Sequence, residues 1–243
     1  MIYLALSILC SSTIYVIFKL FGKYKVQLLP AIVVNYFWAA SSGFIQLDSL
    51  DQFTTISHQW WIAALIISFL FISLFYLMAK TAQELGVSVS SNASKMSMLI
   101  PIVLLAIIYP SEHLGALQIL GVIFALIGIY LTSQKGNTSF KWKSVFWPFV
   151  LFIGSGILDF LIAYANEHLL HSAADDSFFT SLCFSFAFVW GALVLLYQGI
   201  KGAIKINRAS IIGGSLLGLV NYGSIYFLLR TYAGNIAQKT AIL

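Results

Sequence analysis

Ser88, Ser91, Asn92 and Lys95 stand at i, i+3, i+4 and i+7, the spacing that puts four side chains on one face of a helix. They lie in an otherwise uncharged run, residues 86–108. A lysine in such a run is costly and needs a reason. Lys95 falls nine residues into the run, about 13 Å from its inner end at about 1.5 Å per residue. Flanked by Ser91 and Asn92, its ammonium could anchor a carboxylate or phosphate. The alternative is a lysine whose stem follows the serine face and whose head reaches the interface. Asp159 is the one acidic residue inside an apolar run. It could carry a proton for coupled transport, pair with Lys95, or hydrogen-bond while protonated. Asn35-Tyr36 and Asn221-Tyr222 place amides and phenols at mid-membrane depth. Asn35, Asn221 and Tyr222 are candidates for solute binding, or for hydrogen bonds between helices.

Other chemistry is not written here. The sequence has no G-x-x-x-x-G-K-[ST] phosphate loop, no H-E-x-x-H and no G-x-S-x-G, so neither an ATP-driven pump nor an enzyme is expected. Ser94 and Lys95 are adjacent, and adjacent helical residues diverge by about 100°, so they form no dyad. His168 and His171 are spaced i, i+3 without a third ligand; with His58 and His113 they read as solvated loop residues, and no metal or cofactor is expected. Cys10 and Cys183 sit in apolar runs and read as small buried residues.

These residues must be positioned by a membrane-embedded bundle. The 243 residues are 60% hydrophobic and 9% charged, where a soluble domain has about 25% charged residues. A bilayer core of about 30 Å takes about 20 helical residues. That ruler predicts eight spans, near 2–20, 26–46, 60–79, 86–108, 114–133, 145–165, 177–198 and 210–229, with a ninth beginning near 235 and cut at Leu243. The first run has no basic segment before it and no cleavage site after it, and reads as a retained helix.

Basic residues set the orientation. The loops after spans 1, 3, 5 and 7 hold Lys19, Lys23, Lys25, Lys80, Lys135, Lys141, Lys143, Lys201, Lys205 and Arg208. The opposite loops hold Arg230 with Asp48, Asp51, Glu112, Glu167, Asp175 and Asp176. The N-terminus is therefore expected outside the cytoplasmic membrane. The scattered positive charge, +5 in all, serves orientation rather than nucleic-acid binding. Trp60, Trp61, Trp142 and Trp147 open spans and read as interfacial belts. Gly214-x-x-x-Gly218, and Gly121 with Ala125 and Gly128, read as small-residue packing faces.

The chain also echoes itself. Phe75-Tyr76 with Lys80-Thr81 matches Ile225-Tyr226 with Arg230-Thr231, and Asn92-Ala-Ser-Lys95 matches Ile236-Ala-Gln-Lys239. Trp38 and Gly43 have looser counterparts in Trp190 and Gly191. A five-span unit crosses an odd number of times, so its second copy enters from the other side, an inverted repeat of the kind transporters use. The repeat accounts for Arg230 on the acidic side.

Over residues 75–133, GVSVSSNAS, Lys95, Pro101, Glu112 and the Gly121…Gly128 helix fall in an order that resembles the EamA-type branch of the drug/metabolite transporter superfamily. The resemblance implies an all-α bundle of two inverted five-helix repeats: 1–134, a cytoplasmic linker 135–144, and 145–243, short of helices nine and ten. It implies a multi-pass secondary transporter of a small polar metabolite, anionic or amino-acid-like. In related sugar-phosphate translocators, basic residues of helices four and nine hold the anion, and Lys95 and Lys239 fall at those places. Expected partners are the lipid bilayer and the metabolite; a second copy of the chain is left open, and no nucleic acid is expected. The other classes are a non-transporting scaffold or inactive remnant, and an enzyme acting on lipid, for which Asp159 lacks a paired base.

Overall fold

The computed structural model describes residues 2–45, 57–108, 115–133, 142–170, 173–202 and 206–234. Among them all regular structure is helical: α1 (Ile2–Lys23), α2 (Leu28–Ile45), α3 (His58–Glu84), α4 (Val87–Met96), α5 (Leu99–Ile108), α6 (Ala116–Ser133), α7 (Trp142–His168), α8 (Ala173–Ile200) and α9 (Arg208–Gly234). Six segments are long and apolar enough to cross a membrane: Ile2–Lys23, Leu28–Ile45, His58–Glu84, Val145–Asn166, Asp175–Ile200 and Arg208–Phe227. The protein is a multi-pass helical membrane protein.

Its surface is inside out relative to a soluble domain. α9 buries Ser210, Asn221 and Ser224 while Ile212, Leu216 and Leu219 are exposed. Lipid accepts the apolar face, and the hydroxyls and amides turn inward to find partners.

The expected span at 86–108 is not one helix. The chain breaks at Ser97 and Met98 into α4 and α5, each of 10 residues. The cause is Pro101, which lacks the N–H that would bond the Ser97 carbonyl and whose ring crowds that same carbonyl. Ile100 N–H takes the acceptor instead, at 2.8 Å. Among the described residues six helices meet the crossing criterion, and the expected spans over 86–108 and 114–133 are not among them.

α2 lies at the centre, against α3, α8 and α9; α1 packs on α9, α3 and α4; α3 packs on α7 and α8. α4 also rests on α6 and α7, and α5 on α7. Phe18, Phe21, Ile32, Tyr36, Phe184 and Leu217 fill one core. Trp60, Ile67, Leu74, Leu151, Phe178 and Cys183 fill a second. The α2–α9 seam is close because its glycines leave no room for more. A Cβ at Gly214 would fall on the Ala31 carbonyl oxygen, and one at Gly218 would come 2.8 Å from Trp38 Cβ. Gly121, by contrast, has open space around it.

Hydrogen bonds tie the connections into two ends. At one end Asn207 starts α9, accepting from Ser210 N–H at 2.8 Å and donating to the Lys25 carbonyl at 3.3 Å. Gln27 N–H donates to Ser210 Oγ at 2.9 Å. At the other end Trp60 Nε1–H donates to the Leu169 carbonyl at 3.0 Å. Trp60 is thus packed in the core, its indole N–H bonded within the bundle. Trp61 alone of that pair keeps an exposed ring.

Candidate functional site

Two polar centres lie within the bundle, and α1 contributes to both. The first forms at the break after α4. The chain leaves α3 through Gly86, whose φ of 111° favours glycine. It enters α4 with Ser90 donating to the Met78 carbonyl of α3 at 2.9 Å. That bond turns Val89, Ser90 and Ala93 inward. Ser97, fully buried at the α4 terminus, has Oγ 2.5 Å from the Ser94 carbonyl and 3.2 Å from Asp159 Oδ2 of α7. Tyr15 of α1 is buried and reaches Ser94, where α1 packs on α4. Asp159 is nine residues from the end of α7 at His168, about 14 Å inside at about 1.5 Å per residue.

The second centre joins α1, α2 and α9. Asn221 Nδ2 donates to Asn35 Oδ1 at 3.2 Å. Ser7 Oγ donates to the Ser224 carbonyl and Ser224 Oγ to the Asn221 carbonyl, each at 2.7 Å. Asn35 is fully buried, and its Nδ2 and the neighbouring Tyr36 hydroxyl make no hydrogen bond among the described residues.

The sequence candidates fall into three groups. Asn35 and Asn221, expected at similar depth, are bonded to each other, whereas Tyr222 stacks on Tyr226, with ring centroids 6.2 Å apart. Ser91, Asn92 and Lys95 share a face as the spacing predicts, but it is the open face of α4. Lys95 is exposed, Ser91 and Asn92 are half-buried, and Ser91 Oγ is turned back to the Ser88 carbonyl at 3.3 Å. Lys95 makes no ion pair with Asp159; its charge lies in the last turn of α4, where the helix dipole favours it. Lys239 lies outside the described residues, as do Asp48, Asp51, Glu112, His113, Lys135, Lys141, His171, Lys205 and the expected helix start near 235.

Sequence reasoning missed Tyr15, Ser94 and Ser97 as site residues. The signal for two of them was present: a lone aspartate in an apolar helix calls for donors, and a serine four residues before a proline sits where a helix breaks. Nothing in the sequence pointed to Tyr15.

No family model matches the chain, and no solved structure matches it. The chain is similar to an uncharacterized protein of Haemophilus influenzae, 26% identical over 245 aligned residues that cover 96% of this chain and 80% of that protein.

Proposed function

We propose that this protein is a secondary transporter of the EamA-like, drug/metabolite transporter type, moving a small polar metabolite by alternating access across the cytoplasmic membrane. One observation carries the reading. Ser97, at the break of a discontinuous helix, donates to Asp159 of α7 inside a lipid-embedded bundle. Broken helices lining polar centres are how transporters hold solutes and coupling ions, and charges are kept at such depth for function.

The packing supports two inverted halves. Exchanging α1 with α7, α2 with α8 and α3 with α9 turns the α2–α9 contact into α8–α3 and α1–α9 into α7–α3, and returns α2–α8 to itself. The tryptophans follow the exchange: Trp38 of α2 donates to Ser215 of α9, and Trp190 of α8 packs on Phe69 of α3. The N-terminus lies outside in this reading, because the lysine-bearing connections after α1 and α8 meet at one end of the bundle.

Lys95, with Asn92 and Ser91, recruits the anionic group of the solute from the open face of α4, and Asp159 supplies the charge on which an ion gradient acts. The test is counterflow in liposomes with labelled carboxylates, phosphate esters and amino acids. Exchange of one class, lost in Lys95→Gln when the solute is an anion, is the expected result. No exchange of any class, with stoichiometric copurification of another protein, would replace this reading with the scaffold. The open placement of Ser88, Asn92 and Lys95 is what favours that second reading.

A further inference from the structure

We infer that the cavity between the ends of α1 and α3 binds the phosphate head group of an anionic phospholipid. The inference stands apart from the transporter reading, and none of the lining residues belongs to either polar centre.

The cavity measures about 500 Å³ and is lined by Lys19, Leu20, Gly22, Lys23, Gln83 and Glu84. It lies where two membrane-crossing segments, Ile2–Lys23 and His58–Glu84, come to their ends, which is the depth of the head-group layer. Lys19 Nζ donates to the Gln83 carbonyl at 3.2 Å. An ammonium has three donors, so two remain for a ligand. Lys23 Nζ stands 5.8 Å from the centroid of the Tyr24 ring, at the edge of the cation–π range of about 6 Å, and this contact leaves its N–H groups available. Gln83 Nε2 is shielded from solvent and has no hydrogen-bond partner among the described residues. An amide left so is costly. The terminal torsion of a glutamine is broad, so the N–H can turn to an oxygen seated in the cavity. Lysines in the last turn of a helix also complement its dipole. That role accounts for Lys19, but not for the unpartnered amide or for the cavity that the two lysines share.

Charge selects the ligand. Lys19 and Lys23 against Glu84 leave the lining one positive charge. A phosphodiester carries one negative charge and balances it, whereas a phosphomonoester carries about −1.5 to −2 near neutral pH. Glu84 can accept from a head-group hydroxyl and repels a head group that ends in a carboxylate. The apolar side of the site selects a lipid over a free phosphate ester. Val16, Leu20 and Lys23 stand at i, i+4 and i+7 on α1, which is one face of the helix. Val16 and Leu20 are 49% and 40% exposed, and they form a strip from the cavity toward the bilayer core, along which an acyl chain can lie. Basic pockets between membrane helices hold lipid head groups in this way.

The experiment is native mass spectrometry of the delipidated full chain, titrated with phosphatidylglycerol or with phosphatidylcholine of the same acyl chains, and thermal unfolding in the same mixtures. The expected result is preferential retention of phosphatidylglycerol and a Tm that rises with the logarithm of its concentration. Lys23→Gln should weaken that binding about fivefold, the worth of one lysine beside an anionic lipid. Lys23 is the lysine to change, because Lys19 also holds α1 to α3 through Gln83. Gln83→Met should weaken phosphatidylglycerol and leave phosphatidylcholine unchanged. Lys201→Gln, an exposed lysine at the same end of the bundle, should change neither. Equal retention of the two lipids would overturn the site, as would an equal loss in Lys201→Gln and Lys23→Gln, which would mean a diffuse basic surface. Stabilisation by soluble glycerophosphoglycerol equal to that by the lipid would replace the lipid with a free phosphodiester. If Lys23→Gln does not fold, the lipid preference of the wild type and its weakening in Gln83→Met decide.

Discussion

Asn221 donates its amide to Asn35 across 3.2 Å, joining α9 to α2 from the two ends of the chain. Among the described residues the Asn35 carbonyl oxygen is satisfied and its Nδ2 is not. The pair is therefore half of a network, and water or solute amide could complete it.

A double-mutant cycle on Asn35→Leu and Asn221→Leu should give a coupling of about 0.6 kcal/mol, the usual size of an interhelical hydrogen bond in a membrane. Thermal unfolding in detergent measures it. A coupling near zero would mean that the two amides bond solvent rather than each other.

The α2–α9 seam should be far less tolerant than the α6 surface. Gly214→Val sets a side chain on the Ala31 carbonyl and should cost about 1–3 kcal/mol. Gly121→Ala enters open space and should stay within about 0.5 kcal/mol of the wild type. Equal losses of stability at the two positions would contradict the packing of α9 on α2.

Pro101→Ala restores the missing N–H and lets α4 run into α5. The prediction is slower amide hydrogen exchange over residues 98–101, with unchanged or higher thermal stability. Unchanged exchange would place the cause of the break elsewhere than the proline.

Reporter fusions at residues 140 and 172 test orientation. Fluorescence is expected from the first and phosphatase activity from the second. The reverse pattern would mean that the lysine-rich end faces outward.

The membrane class was legible because it needs only apolar runs and few charges. The seam glycines were legible for a similar reason: Gly214 and Gly218 carry their spacing on one helix. Span 86–108 misled because hydropathy counts residues and ignores backbone, so Pro101 weighed less than the leucines and isoleucines after it. The polar face of α4 was read correctly as a face, but periodicity cannot say which way a face turns; Ser90, hidden among those serines, decides it by bonding Met78. Tyr15 was out of reach because its contact with Ser94 joins α1 to α4, and no local pattern encodes a partner that distant.

The unequal helix lengths bring bilayer thickness into play. α2 has 18 residues, about 27 Å, and α3 has 27, about 40 Å, at about 1.5 Å per residue. Across a hydrocarbon slab of about 30 Å the long helices must lean or project, while α2 barely spans it upright. A thicker bilayer can be met by straightening α3, α8 and α9, but the 18 described residues of α2 offer no such slack. Hydrophobic mismatch therefore falls on the α2–α9 seam, and lipids of longer acyl chain should load that seam before any other part of the bundle.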